Sequence, residues 1–184
     1  MGFFWPMLSG LVSSEIGARK NAGRGTAIAV LVVLTLYDSG RILLHQRAMA
    51  TLQSRIYNGT APRRTVAFPQ TVNPMRWDGW VETDKAWLAL NVDLTREFDP
   101  DPVATFWKPD SIPMLDAARR IPVFAELSRF AKTPYWRVLP AEEPEGAQRV
   151  ELVDLRFRRN DHQGFTATAV FDAGGRLLRS GFHF

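Results

Sequence analysis

The run from Gly25 to Leu44, GTAIAVLVVLTLYDSGRILL, is the most apolar stretch of the chain. It reads as a membrane-spanning helix that tethers a soluble C-terminal domain, and the rest of the sequence must be arranged around it. The unbroken core, Thr26 to Tyr37, gives roughly 18 Å of helix, against a hydrocarbon layer of about 30 Å. A span must therefore take in Asp38, Ser39, Gly40 and Arg41 to reach Leu44. Asp38 and Arg41 stand three apart, share a helix face and can pair. Such charges sit at headgroup level, where Arg41 can snorkel, or face other transmembrane helices as a packing pair. A buried helix of a soluble protein is the competing reading of the stretch.

Residues 1–24 hold an apolar, aromatic start, MGFFWPMLSGLV, followed by a polar turn with three cations. The start is too short to cross a bilayer and lacks the basic n-region of a signal peptide. It reads as the tail of a longer helix. Arg19, Lys20 and Arg24 beside an apolar helix predict the cytoplasmic side for this loop. The C-terminal domain is then expected beyond a cell inner membrane, facing the periplasm or exterior, with the lipid bilayer as a partner.

That domain has the composition to fold. The 184 residues are 46% hydrophobic and 23% charged, near the globular average. The net charge of +4 lies largely ahead of the apolar run and in Arg156, Arg158 and Arg159, so no nucleic-acid partner is expected. There is no cysteine, which excludes disulfides, thiolate zinc sites and a Cys nucleophile.

His45 to Asn58 keeps helical character through Ala48, Leu52 and Ile56, and predicts an extension that stops at Asn58-Gly59. Residues 25–58 thus read as the transmembrane helix with its extension, and residues 59–184 as an extracytoplasmic strand-rich domain. From Pro62 the apolar period changes to two. Strands are expected at Arg64–Phe68, Trp77–Thr83, Trp87–Leu94, Val103–Trp107, Tyr135–Leu139, Val150–Phe157, Phe165–Phe171 and Leu177–Phe184. Thr83-Asp84-Lys85 and Asp172 to Gly175 read as hairpin turns. In Val150–Phe157 the apolar phase slips between Leu152 and Val153, which predicts a bulge there. Two short helices, Met114–Arg120 and Val123–Lys132, are split by Pro122 and stopped by Pro134. Val123, Leu127 and Phe130 line one face of the second. The fold class is α+β: an N-terminal transmembrane helix followed by a largely antiparallel sheet domain with two short helices.

Motifs for chemistry are sparse. A hydrolytic zinc site wants two or three His or carboxylate ligands, yet His45, His162 and His183 stand far apart and none is within helical spacing of another. There is no H-E-x-x-H, G-x-S-x-G or P-loop. Glu82, Asp84 and Asp93 fall on or near one hairpin and read as polar residues of an exposed sheet face. Trp77, Trp80, Trp87, Trp107, Tyr135 and Trp136 all belong to the sheet region. They read as core or membrane-facing rings, with a tryptophan-walled ligand groove as the alternative. No catalytic or metal-binding residue is assigned.

The order Ala67-Phe68-Pro69, Asn73-Pro74-Met75-Arg76-Trp77 and Val81-Glu82-Thr83, behind an apolar helix, resembles a block in the membrane-bound, metal-dependent hydrolase family (YdjM-like). In that family a bundle of transmembrane helices leads into an extracytoplasmic strand-rich region. The resemblance implies that this chain is the C-terminal part of such a hydrolase, with a divalent metal held elsewhere in a longer parent protein. The family's metal-ligand motifs are N-terminal and no residue here matches them, so the chain alone is not expected to be catalytic and holds no cofactor of its own. Pro69, Asn73, Pro74 and Trp77 carry the motif and have a structural reading: a turn at Asn73-Pro74 and a strand anchored by Trp77. Two other readings stand beside this one. One is a membrane-tethered binding module for a lipid, glycan or protein partner; the other is a membrane-assembly subunit joined through Asp38 and Arg41.

Overall fold

The computed structural model describes residues 22–159 and 162–183. The readings given above for residues 1–21, for the side chains of Arg158, Arg159 and His162, and for Phe184 lie outside the described residues. The chain divides into two compact units, Met1–Leu44 and His45–Phe184.

In the first unit the described residues form a single helix. This helix, α1, runs from Ala22 to Gln53, so its last turns belong to the second unit. Its 32 residues give a length of about 48 Å. Leu31, Val32, Val33 and Leu34 follow one another and are all exposed, so apolar surface runs around the whole circumference. Among the described residues α1 is the one helix long and apolar enough to cross a membrane. It ends at Gln53 and not at Asn58 as the sequence suggested. The Tyr57 hydroxyl donates 2.9 Å to the Leu52 carbonyl, satisfying one of the acceptors a helix end leaves bare. Asn58 and Gly59, at φ 50° and 76°, make a tight turn. Across it Tyr57 and Thr60 exchange both backbone hydrogen bonds at 2.9 Å. The Asn-Gly pair is therefore a hairpin signal and not a helix stop.

The second unit holds two four-stranded antiparallel sheets and a two-stranded ribbon. Strands β1 (Arg64–Pro69), β2 (Arg76–Glu82), β3 (Ala86–Asp93) and β4 (Ala104–Trp107) form the first sheet in sequential order. Trp77, Gly79 and Val81 of β2 stand opposite Val92, Leu90 and Leu88 of β3, and these residues make one buried face. The end of α1 lies on that face. A side chain at Gly79 would meet Leu52 Cδ2 at 2.9 Å, so the glycine is the notch that lets Leu52 reach the sheet. Leu52 and Ala48 are fully buried.

Helices α2 (Pro113–Arg119) and α3 (Pro122–Phe130) follow, each with proline in its first turn, where the missing N–H costs nothing. The second sheet comprises β5 (Pro134–Pro140), β6 (Gln148–Asp154), β9 (Thr166–Phe171) and β10 (Leu177–His183), neighbours in that order. A 3₁₀ turn at Leu155–Phe157 and the ribbon β7 (Arg158–Arg159) with β8 (His162–Gln163) lie between β6 and β9. Leu115, Ala118, Phe124 and Leu127 of the helices pack on Val150, Leu152, Ala167, Ala169 and Phe171 of this sheet, forming the main core. The buried face of α3 is thus Phe124 with Leu127, while Phe130 stays 49% exposed.

The expected bulge in β6 is absent. Its register against β9 runs unbroken through Leu152 opposite Ala167 and Val153 opposite Thr166. The strand reads as out of phase because residues 150–154 are buried on both faces. The irregularity lies instead in β10, between Leu177 and Arg179. That extra residue sends Phe182 to the core side opposite Ala167, and puts Arg179, Gly181 and His183 on the other face.

The sheets meet through specific contacts. Trp87 Nε1 donates 2.9 Å to the Pro134 carbonyl, and Phe106 of β4 meets Tyr135 of β5 edge-on. Asp154, fully buried, accepts from Thr133 Oγ1 at 2.7 Å, from the backbone N–H groups of Lys132, Thr133 and Arg156, and from Arg156 Nη2 at 3.0 Å. The Arg156 guanidinium in turn lies over the Phe157, Phe130 and Phe68 rings.

Candidate functional site

The residues singled out in the sequence fall in four places. The motif block sits where α1 meets the first sheet. Asn73 Oδ1 accepts from the Met75 N–H at 2.9 Å, and its carbonyl from the Arg76 N–H, which builds the turn into β2. Trp77 Nε1 donates 3.1 Å to the Pro74 carbonyl. Pro69 ends β1 opposite Trp77. The buried Trp77 ring carries His45 of α1 at 5.2 Å. Pro69, Asn73, Pro74 and Trp77 are therefore joined in one turn-and-anchor unit under the last turns of α1.

Asp38 and Arg41 behave differently from each other. Arg41 donates 3.1 Å to Tyr37 Oη and lies over that ring, four residues back along the helix. Asp38 is exposed and among the described residues makes no ion pair.

The hairpin carboxylates each have their own cation. Glu82 pairs with Lys108 at 2.7 Å, Asp84 with Arg63, and Asp93 with Arg76 at 3.2 Å. Arg76 stands opposite Asp93 and Glu82 opposite Trp87, so Glu82 and Asp93 lie at opposite ends of the hairpin, roughly 20 Å apart at the rise of a strand. The Thr95 hydroxyl and N–H, at 2.6 and 3.0 Å, hold the Asp93 carboxyl below its usual range, with Arg76 adding to the effect. Among the described residues no group of three or more His, Asp and Glu side chains is placed to hold a metal.

The aromatic rings are engaged mostly within the fold. Trp77 and Trp87 are buried, Trp136 stacks on Phe124 at 5.2 Å, and Trp80 leans on Phe106 at 5.7 Å. Trp107 is 62% exposed at the edge of the first sheet. These rings do not line a common groove.

The place where unspent polar groups converge is one the sequence did not single out: the outer face of the second sheet. There β6, β9 and β10 curve around a concavity of about 480 Å³, lined by Arg149, Glu151, Thr166, Thr168, Arg179 and His183 among others. Glu151 is only 3% exposed. Arg137 of β5 brings Nε and Nη2 to its Oε2, and Arg149 Nε stands 2.8 Å from its Oε1. The Arg149 contact is close but outside hydrogen-bond geometry, so that N–H is unspent. His183 Nε2 is 3.2 Å from Thr168 Oγ1. Thr166 is 3% exposed, and its hydroxyl has no partner among the described residues. A buried hydroxyl in that state costs about 1–3 kcal/mol. Gly181, opposite Thr168, leaves the floor open: the nearest atom to a Cβ there is His183 Nε2 at 3.9 Å.

The sequence signal for this face was the polar phase of three strands, Arg149-x-Glu151, Thr166-x-Thr168 and Arg179-x-Gly181-x-His183. It was hidden because the bulge in β10 is invisible in the pattern, and because β6 does not alternate. A second concavity, about 380 Å³ and apolar, lies between α3 and the Phe165 and Phe182 side chains. Comparison with protein-family models, with curated proteins and with solved structures found no match for this chain.

Proposed function

We propose that the chain is a membrane-tethered binding module. Its helix α1 anchors it in a cell inner membrane, and its strand-rich unit faces the periplasm or exterior and offers the outer face of the second sheet to a ligand. The observation that carries this reading is the concavity. A solvated polar surface would not bury a hydroxyl without a partner, as Thr166 is, since that costs free energy that a ligand can recover. The orientation rests on Arg19, Lys20 and Arg24 ahead of the apolar run. Exposed Asp38 leaves α1 a polar point of attachment for other transmembrane helices.

A second reading follows the resemblance to the membrane-bound metal-dependent hydrolases. It is favoured by the motif block, whose members Pro69, Asn73, Pro74 and Trp77 all serve the junction with α1. That is where a hydrolase of this kind joins its membrane bundle to its strand-rich region. The metal ligands would then lie in sequence beyond this chain.

One experiment separates the two. Membranes of the source cell are washed in carbonate, and the protein that remains is detected with an antibody against the strand-rich unit and weighed intact. A retained species of 20.8 kDa supports the tethered module. A much larger retained species supports the hydrolase part. Release into the wash overturns the tether in both.

A further inference from the structure

The outer face of the second sheet carries three guanidinium groups, Arg137, Arg149 and Arg179, against one carboxylate, Glu151. Arg179 also shares a neighbouring hollow with Glu143, so the face keeps an excess of one positive charge. Two of the three arginines are already ordered by Glu151, so little side-chain entropy remains to be lost when something binds. A guanidinium has five N–H donors in a fixed fork, more than Glu151 takes up. The Thr166 hydroxyl is buried, unpartnered among the described residues, and lines the same space. Gly181 keeps that space empty where any larger residue would fill it.

Resting on the reading of the chain as a binding module, we propose that this concavity binds a phosphate-type oxyanion. Arg149 and Arg179 are its charged contacts, and Thr166 and Thr168 its hydroxyl partners. A phosphate monoester carries close to two negative charges near neutral pH and offers several acceptor oxygens. It thus suits the positive balance of the face and the number of donors, where a carboxylate with two oxygens would leave several donors unused. The bulge in β10 is what assembles the site. Without it Arg179 would stand opposite Ala169 on the core side and Phe182 would point outward.

The phosphate can come from a small soluble ligand or from a lipid headgroup, and two probes separate these. The full chain in micelles of an uncharged detergent is titrated calorimetrically with inorganic phosphate, and separately with dihexanoyl phosphatidic acid. Saturable binding of either with a Kd below about 1 mM supports the site. Binding of the lipid alone assigns the headgroup, and binding of inorganic phosphate assigns a soluble source. Arg179→Ala is expected to raise the Kd at least about tenfold, as loss of a charged hydrogen bond does. A Cβ at Gly181 meets nothing nearer than His183 Nε2 at 3.9 Å, so Gly181→Val is expected to fill the floor and abolish binding while the circular-dichroism melting curve stays native. Arg176→Ala, at the exposed hairpin turn, keeps the native Kd. No saturation with either probe overturns the proposal, and so does native affinity in both Arg179→Ala and Gly181→Val. Silence of both probes in a chain that resists carbonate removes the oxyanion and leaves the tether. Phosphate binding by a chain that carbonate releases does the reverse.

Discussion

The two four-stranded sheets are built alike, each from strands that pair in chain order with antiparallel neighbours, yet they spend their faces differently. The first sheet buries Trp77, Gly79, Val81, Leu88 and Leu90 beneath the last turns of α1. Its ion pairs, Glu82 with Lys108, Asp84 with Arg63 and Asp93 with Arg76 and Arg96, lie at its ends and rim. The second buries its inner face beneath α2 and α3, and on its outer face holds polar groups that no other described residue satisfies. One sheet is a seat for the last turns of α1. The other keeps a polar face with the concavity on it. The same topology serves both because strand alternation separates the two faces: a core on one side leaves the other free to be specified independently.

The contrast predicts where damage is felt. The largest effect is expected from Asp154→Ala at the end of β6. It leaves the Thr133 hydroxyl, several backbone N–H groups and the Arg156 guanidinium without their acceptor, which should cost about 3–5 kcal/mol. Hydrogen exchange on the full chain in micelles reads each sheet separately. Amides of β5 and β6 should lose protection first, with β2 and β3 following only if the unit opens as one. Equal loss in both sheets would erase the energetic distinction between them.

Leu52→Ala tests the first sheet in the same way. Truncating a fully buried leucine costs about 2–5 kcal/mol, and here the cavity opens over Gly79. Gly79→Ala alone should also destabilise, because its Cβ would lie 2.9 Å from Leu52 Cδ2 and 3.1 Å from Val92 Cγ2. In the double variant the new methyl occupies part of the space that Leu52 vacates, so the combined loss should fall below the sum of the two single losses by about 1 kcal/mol or more. Additive losses in urea unfolding would show that the notch and the leucine act separately.

Much of the fold was legible before the structure, and the misses have physical causes. The eight long strands, both short helices and the Asp172–Gly175 turn follow from period, proline and glycine placement. Val150–Phe157 misled because a strand covered on both sides loses its alternation, and a phase slip then looks like a bulge. The real bulge, at Leu178, is silent because Leu177 and Leu178 are both apolar and both partly exposed. Asn58-Gly59 misled because the same dipeptide ends helices and turns hairpins; Tyr57, not the pair itself, decides. The polar face of the second sheet was missed for a related reason. Its members come from three strands, and only the register of β10 brings Arg179 and His183 to the same side as Glu151.

The smallest expected effect concerns the seam between α1 and the first sheet. The buried Tyr57 phenol is pushed up from its usual 10.0 to about 12, chiefly by burial, with nearby Arg55 pulling the other way. Because the folded value is the higher one, folding favours the neutral phenol. The contribution of Tyr57 to stability is complete below pH 10.0, and is lost as pH rises from there through about 12. Tyr57→Phe removes the hydrogen bond to the Leu52 carbonyl and should cost about 1 kcal/mol near neutrality. It also removes the ionisation. The native protein should then weaken faster than the variant in alkali, by about 2 kcal/mol over that window, so the two stability curves should cross at around pH 11. Urea unfolding of both proteins at several alkaline pH values measures the difference directly, since every other titrating group is common to the two. Parallel curves would mean that Tyr57 ionises as readily in the folded chain as in the unfolded one. The end of α1 would then be wetted, and no longer sealed against the first sheet as Leu52 and Gly79 require.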